Sequence, residues 1–387
     1  MMQIATADRI SGIEEYYFSR KLQEIERMRR DGHDVINLGI GSPDLAPSAA
    51  TIGKLHEESA KPGNHGYQSY RGIPELRKAF AAWYGRFFRV QLDPDREILP
   101  LMGSKEGIVH ISLAFVNPGD EVLIPNPGYP TYESATKLAG GVARHYELTE
   151  ENGWLPDLRK LEGEGLEKVK IMWVNYPHMP TGTRASAGLF DSLVAFGAGH
   201  NILVCNDNPY SFILNDEPLS ILNVGGSRAT ALELNSLSKS HNMAGWRIGM
   251  VAGHSDFINA ILKVKSNMDS GMFRPLQLAA AEALASPESW YGTLNAVYRT
   301  RQEVAFGIMD IMGCRYDPGQ TGMFVWGRIP GHYEYATELS DKLLHEAAVF
   351  ITPGMVFGSR GEKYLRISLC SDVELLKTAK DRIMQLI

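Results

Sequence analysis

Apolar positions along the 387-residue chain fall into two patterns in succession. From about residue 97, short apolar runs at Glu97–Met102, Glu121–Pro125, Val142–Leu148, Val169–Val174, Ile202–Cys205, Ala231–Asn235 and Ile248–Ala252 alternate with segments of helical period, such as Lys105–Phe115 and Ala187–Phe196. Strand–helix alternation of this kind predicts an α/β unit, a mostly parallel sheet flanked by helices on both faces. Beyond Pro275 the pattern changes to a long helix, Tyr291 to Met312, strand-like stretches at Met323–Trp326, Val349–Thr352 and Tyr364–Leu369, and a last helix from Asp372 to Leu386. That order predicts a smaller α+β domain. Towards the N-terminus, Ser11-Gly12-Ile13-Glu14 reads as a capping box opening an amphipathic helix to Arg30, with Gly32 as its stop. An extended segment, Ile36 to Ile40, and a helix from Pro74 to Phe88 follow. The expected division is an N-terminal arm over 1–45 that packs with the small domain, a large domain over 46–285, and a small C-terminal domain over 286–387.

Composition narrows the class. Hydrophobic residues make up 44% and charged residues 22%, ordinary for a globular chain. The formal net charge of −6 argues against a nucleic-acid partner, which needs a basic face. Cys205, Cys314 and Cys370 form no CxxC pair, as expected of reduced thiols in a cytoplasmic protein. The N-terminal stretch lacks the apolar core of a secretory signal, and no uncharged apolar run reaches the ~18 residues of a membrane span. HExxH and G-x4-G-K-[ST] are absent, and Gly39-Ile40-Gly41 does not continue as G-x-G-x-x-G. No metal site is expected.

The stretch Ser236-Leu237-Ser238-Lys239-Ser240 to Gly249 carries the most chemistry. It has the spacing S-x-S-K-S-x4-G-x-R-x-G and directly follows an expected strand. A lysine is costly to bury, and one placed at a strand end among hydroxyls suits attack on an aldehyde. Ser236, Ser238 and Arg247 around it suit a phosphate. Three further stretches carry candidate chemistry. Gly103-Ser104-Lys105 lies between a strand and a helix, where backbone amides face an anion. Asp207 and Tyr210 follow the strand Ile202–Cys205, at the carboxyl end where open α/β sheets bind ligands. Arg366 sits in the apolar run Tyr364-Leu365-Arg366-Ile367-Ser368, an uncommon place for arginine without a buried anion.

On these motifs the chain resembles the class I/II aminotransferases, pyridoxal-5'-phosphate enzymes of fold type I, over nearly its whole length. It is most similar to the LL-diaminopimelate aminotransferase branch. The stretches that carry this are Tyr16-Tyr17-Phe18-Ser19, Asn64 to Tyr70, Gly103 to Gly107 and Ser266 to Gly271. The resemblance implies a seven-stranded, mostly parallel sheet, a pyridoxal-phosphate cofactor and amino transfer between an amino acid and a 2-oxo acid, with LL-diaminopimelate and 2-oxoglutarate as the candidate pair. It further implies a role for each matching residue. Lys239 carries the cofactor as a Schiff base and moves the proton as general acid and base. Asp207 keeps the ring nitrogen protonated, and Tyr210 meets the ring oxygen. Ser104, Lys105, Ser236, Ser238 and Arg247 hold the phosphate, and Tyr129 of Asn126-Pro127-Gly128-Tyr129-Pro130 stacks on the ring. Arg366 grips the α-carboxylate with the backbone of Gly41, and Tyr16 reaches substrate. Tyr67 crosses from a neighbouring subunit of a homodimer to the phosphate. A carbon–sulfur β-lyase on the same fold and a non-catalytic cofactor-binding protein are the alternatives.

One motif departs from the family. The stretch Asn175-Tyr176-Pro177-His178-Met179-Pro180-Thr181-Gly182 has Met179 where the family has an asparagine that bonds the ring oxygen and braces the carboxylate-binding arginine. Methionine cannot donate that bond, and His178 or Asn175 is left as a substitute by a shifted route. Arg274 is open to two readings, a ligand for a distal carboxylate or a solvated helix start.

Overall fold

The structure is a computed structural model that describes residues 4–11 and 17–387. The capping box expected at Ser11-Gly12-Ile13-Glu14, and Tyr16, fall on or against residues 12–16, outside the described residues. The helix expected there is seen from Tyr17 to Arg30, and the chain then turns at Gly32 with φ 93°.

Ile36–Asn37 (β1) precedes seven strands that form one sheet: β2 (Ile98–Leu101), β3 (Glu121–Asn126), β4 (Val142–Glu147), β5 (Val169–Val174), β6 (Leu203–Asp207), β7 (Ala231–Ser236) and β8 (Gly249–Gly253). Their order is β2-β8-β7-β6-β5-β3-β4. β8 runs antiparallel to both β2 and β7, and the remaining neighbours are parallel. The central strands β5, β6 and β7 are buried along almost their whole length, as helices on both faces require. One layer packs around Phe80, Trp83, Phe190 and Met172 and the other around Ile108, Ile111, Tyr132 and Trp173.

The C-terminal part holds a four-stranded antiparallel sheet of β9 (Arg315–Tyr316), β10 (Phe324–Arg328), β12 (Thr352–Pro353) and β13 (Tyr364–Ser368), with β11 (Val349–Phe350) outside it. The expected single run Val349–Thr352 is two short strands, because Phe350 turns away to pair with the N-terminal arm. β1 lies parallel to β11, Ile36 opposite Val349. The helices Glu288–Ile311, Ala336–Ala347 and Val373–Leu386 cover this sheet.

The Gly39–Asp44 turn in the arm has a steric reason. Gly41 packs so closely on β10 that a Cβ there would lie 2.4 Å from the Phe324 ring. Asp44, three residues on, receives both Nη1 and Nη2 of buried Arg301 at 2.7 Å. The arm is therefore clamped over the junction of the two sheets.

Candidate active site

The carboxyl ends of β5, β6 and β7 open into a cavity of about 590 Å³. Of the sequence-derived candidates, Gly41, Ser104, Lys105, Tyr129, Asp207, Tyr210, Ser236, Ser238, Lys239, Arg247 and Arg366 all line it. Tyr67 does not. It is 93% exposed, on the outer surface of this chain.

Lys239 projects from the short helix Leu237–Ser240, whose start is capped by the Ser236 hydroxyl accepting from Ser238 N. Its Nζ donates to Gly41 O at 2.6 Å. Burial, aided by the charges of Arg366 and Arg247, holds its pKa below the usual lysine value. Asp207 ends β6. Tyr132 donates to its Oδ2 at 3.1 Å, while the buried Oδ1 has no partner. Burial pushes the Asp207 carboxyl up to about 7, partly offset by the Tyr132 hydroxyl, the charge of Lys239 and the nearby Ser104 hydroxyl.

Backbone geometry shapes the opposite end. Gly103 has φ 85°, and a Cβ there would meet Arg247 Nη2 at 2.3 Å. Glycine is thus required by conformation, and its bare face lets the Arg247 guanidinium lie against the turn. Arg247 itself adopts φ 59° and donates to Ala244 O and Met102 O. The helix Ser104–Phe115 begins here, and Ser104 Oγ is buried without a partner.

Arg366 lies mid-strand in β13, between Trp326 and Thr352. Its guanidinium carbon is 3.9 Å from the centre of the Phe324 ring and 4.5 Å from that of Phe357. Nη2 donates to Gly39 O at 2.7 Å, Nη1 faces Met179 Sδ at 3.5 Å, and Nε is buried with no partner. With no carboxylate beside it, burial lowers its pKa to about 10.

Met179 therefore stands in the cavity wall, and the two substitutes considered for it make other contacts. Asn175 Nδ2 donates to Asp207 O, and its Oδ1 accepts from Met179 N at 2.8 Å. His178 Nδ1 lies 2.8 Å from Thr181 Oγ1, and His178 is not a cavity residue. Arg274 donates to Glu75 at 3.0 Å and is also outside the cavity lining.

Two supporting residues escaped the sequence reading. Tyr132 holds Asp207 and stacks on Trp173 at 5.1 Å; its position one helical turn after Tyr129 was the available signal. Glu106 accepts the Met102 amide and pairs with His110 Nε2 at 2.9 Å, which fixes the entry to the Ser104 helix. Glu106 falls at the third helical position after Gly103, from which an acidic side chain can reach back to the preceding backbone, and that was the available signal.

The cavity thus offers an amine of depressed pKa, an unpaired buried carboxyl oxygen, a helix start beside an arginine, and a buried guanidinium whose Nε has no partner among the described residues. These are complementary to an aldehyde, a cationic ring nitrogen, a phosphate and a carboxylate. The chain belongs to the class I and II aminotransferases, whose family model matches residues 33–383. It is 41% identical to an LL-diaminopimelate aminotransferase of Desulforudis audaxviator, covering 99% of this chain and 98% of that one. It is 39% identical to one from Moorella thermoacetica, over 98% of each. The substrate-bound BacF structure from Bacillus subtilis superimposes with a TM-score of 0.95 at 35% identity, over 100% of this chain and 98% of that one. The protein is an aminotransferase, and its cofactor is pyridoxal 5'-phosphate. The unpaired Oδ1 of Asp207 and Oγ of Ser104 fit that group. Among the described residues, no helix is long and apolar enough to cross a membrane.

Proposed function

We propose that this site moves an amino group between an amino acid and a 2-oxo acid with the roles divided as follows. Lys239 would hold the aldehyde end of the cofactor, Asp207 the ring nitrogen, Tyr210 the ring oxygen and Tyr129 a ring face. Ser104, Lys105, Ser236, Ser238 and Arg247 would hold the phosphate, joined by Tyr67 of a second copy. When bound, the cofactor supplies the carbonyl that accepts the amino group and a ring that withdraws electrons from the substrate α-carbon.

The chain's own groups do the rest. Arg366 binds the α-carboxylate with its unspent Nε and Nη1, beside the Gly41 backbone, and so fixes which α-bond faces Lys239. The Lys239 amine, readily neutral because its pKa is lowered, takes the proton from the α-carbon and can return it. Burial holds the Asp207 carboxyl well above the usual carboxylate range while its Oδ1 is unpaired; a cation against Oδ1 would favour the carboxylate. Tyr16 is proposed as a substrate contact.

The relatives' names make LL-diaminopimelate with 2-oxoglutarate the first pair to assay. We place this chain in the cytoplasm as a homodimer, with an arm over 1–45 and domains over 46–285 and 286–387. The exposed Tyr67 and three buried free cysteines support that reading.

The observation that carries the proposal is the unpaired Oδ1 of Asp207 in the same cavity as Lys239. Borohydride treatment of the holoenzyme should fix cofactor to a peptide containing Lys239, and amino transfer from a donor panel should exceed pyruvate release from a cysteine thioether. A label on Lys105 or Lys263 overturns the assignment, and dominant pyruvate release favours the β-lyase.

A further inference from the structure

Tyr129 follows β3 of the seven-stranded sheet and Phe357 precedes β13 of the four-stranded one, and both line the cavity. Behind them, outside the lining, stands Asn126, the buried last residue of β3. Its Nδ2 donates to Ser359 Oγ at 2.9 Å, and its Oδ1 accepts from Arg360 N at 3.1 Å. Gly358 permits this approach, since a Cβ there would lie 2.2 Å from Asn126 Oδ1. Gly128 N, one residue before Tyr129, donates to Phe357 O at 2.7 Å. The Arg360 side chain bonds Glu147, the β4 residue opposite Asn126. The loop that carries Phe357 is itself closed tightly, with a Cβ on Gly354 only 2.4 Å from Gly361 O. A shift at Ser359 is therefore passed on to Phe357, whose ring centre lies 4.5 Å from the Arg366 guanidinium carbon.

From this we infer that Asn126 is a positioning residue for amino transfer. It sets the Tyr129 ring, which lies on the cofactor, in register with the Phe357 wall of Arg366, which receives the α-carboxylate. The inference rests on the amino-transfer reading. An asparagine suits the task because one uncharged amide supplies both the donor and the acceptor that the loop needs. Alanine at this position releases Arg360 N and Ser359 Oγ to water, so the two cavity walls lose their common anchor. Reacting groups held by those walls then lose alignment, to which turnover and binding are sensitive.

The test uses the holoenzyme, with steady-state kinetics on its fastest donor–acceptor pair and visible circular dichroism of the bound cofactor. Asn126→Ala should raise KM for both substrates about tenfold with kcat changed less than about threefold. It should also alter the dichroism band, which follows the contact of the cofactor ring with Tyr129. Ser359→Ala removes one of the two side-chain bonds at an exposed residue and should raise KM about threefold, a readout that holds even where Asn126→Ala does not fold. In a Phe357→Ala background, Asn126→Ala should add less than about twofold to KM, because its effect runs through the ring already removed. In a Tyr129→Leu background it should leave the dichroism band unmoved. Fully additive KM effects, an unchanged dichroism band in Asn126→Ala, or an unchanged KM in Ser359→Ala overturns the positioning role while amino transfer stands. A wild-type holoenzyme that transfers no amino group from any donor overturns the underlying reading and this inference with it.

Discussion

Nη1 of Arg366 points at the sulfur of Met179 from 3.5 Å, a contact between a buried cation and a weak acceptor. A methionine sulfur takes little of the guanidinium's charge, so the hydrogen-bonding capacity of Nη1 stays largely unspent. The remaining surroundings are aromatic faces, which attract a cation without fixing its direction as oxygen does. The Met179→Asn variant offers an amide oxygen to Nη1 and an N–H towards the ring oxygen. It should bind carboxylate analogues about fivefold more tightly, the return from a hydrogen bond of about 1 kcal/mol. The pH midpoint of the cofactor's visible absorption should fall, because the ring oxygen gains a donor besides Tyr210. Calorimetry on the apoprotein and a spectral titration of the holoenzyme measure these separately. Unchanged values in both would mean that Met179 is only packing.

Asp207 gives a pH prediction with a definite sign. Burial raises its carboxyl from 3.8 to about 7, so the folded apoprotein binds a proton there that the unfolded chain has lost. This contribution to stability is complete below about pH 4 and is lost as pH rises through about 7, at up to about 1.4 kcal/mol per pH unit. Melting of the apoprotein should therefore show a downward component over that window. It should be missing in Asp207→Asn and smaller with cofactor bound, since a cation on Oδ1 lowers the pKa again. Asp207→Asn should also cut turnover at least a hundredfold. Parallel pH profiles for the two apoproteins would refute the assignment of a buried titrating group.

Arg301 acts at a distance from the chemistry. Its two bonds to Asp44 tie down the segment whose Gly39 and Gly41 carbonyls meet Arg366 and Lys239. Lysine keeps the charge but not the planar fork. Arg301→Lys should therefore raise KM for donor and acceptor severalfold with a smaller change in kcat, while Arg301→Ala should also lower Tm, as Asp44 loses its partner. Steady-state kinetics with both substrates separate this from a plain loss of folded protein.

The sheet was legible because its strands are short, apolar and separated by helical periods. The helix Pro74–Phe88 begins and ends where proline geometry and periodicity place it. The Lys239 loop, Asp207 and Arg366 could be read because each puts a costly charge where burial needs a reason. What stayed hidden depends on long-range packing. Val349–Thr352 reads as one strand, yet Phe350 pairs with the arm and Thr352 with β13, a split that only the partner strands dictate. Likewise Asn175 reaches across to the Asp207 carbonyl and His178 Nδ1 meets Thr181, arrangements that depend on how that loop folds. Tyr132 lies just beyond the Tyr129 motif, but only the approach of its helix to β6 brings it to Asp207.

Tyr67 tests whether the cavity is complete in one chain. Among the described residues it is the most exposed large hydrophobic side chain, and Tyr70 (46% exposed), Met268 (60%) and Phe273 (43%) are also solvent-facing in this chain. A tyrosine carries a large apolar ring and a hydroxyl, so full exposure leaves unspent both the burial and the hydrogen bond that it can contribute. In a homodimer with shared sites the hydroxyl would reach the partner's phosphate end, beside Arg247 and Ser104. Tyr67→Phe should then weaken cofactor affinity roughly tenfold, the scale of a hydrogen bond to a charged group, without altering the dimer seen by sedimentation. Mixing inactive Lys239→Ala chains with Tyr67→Phe chains should produce hybrids in which one site of two regains both residues. Cofactor binding to such hybrids should show one site of wild-type affinity. An active monomer, or hybrids whose sites all bind as weakly as Tyr67→Phe, would place Tyr67 outside the site.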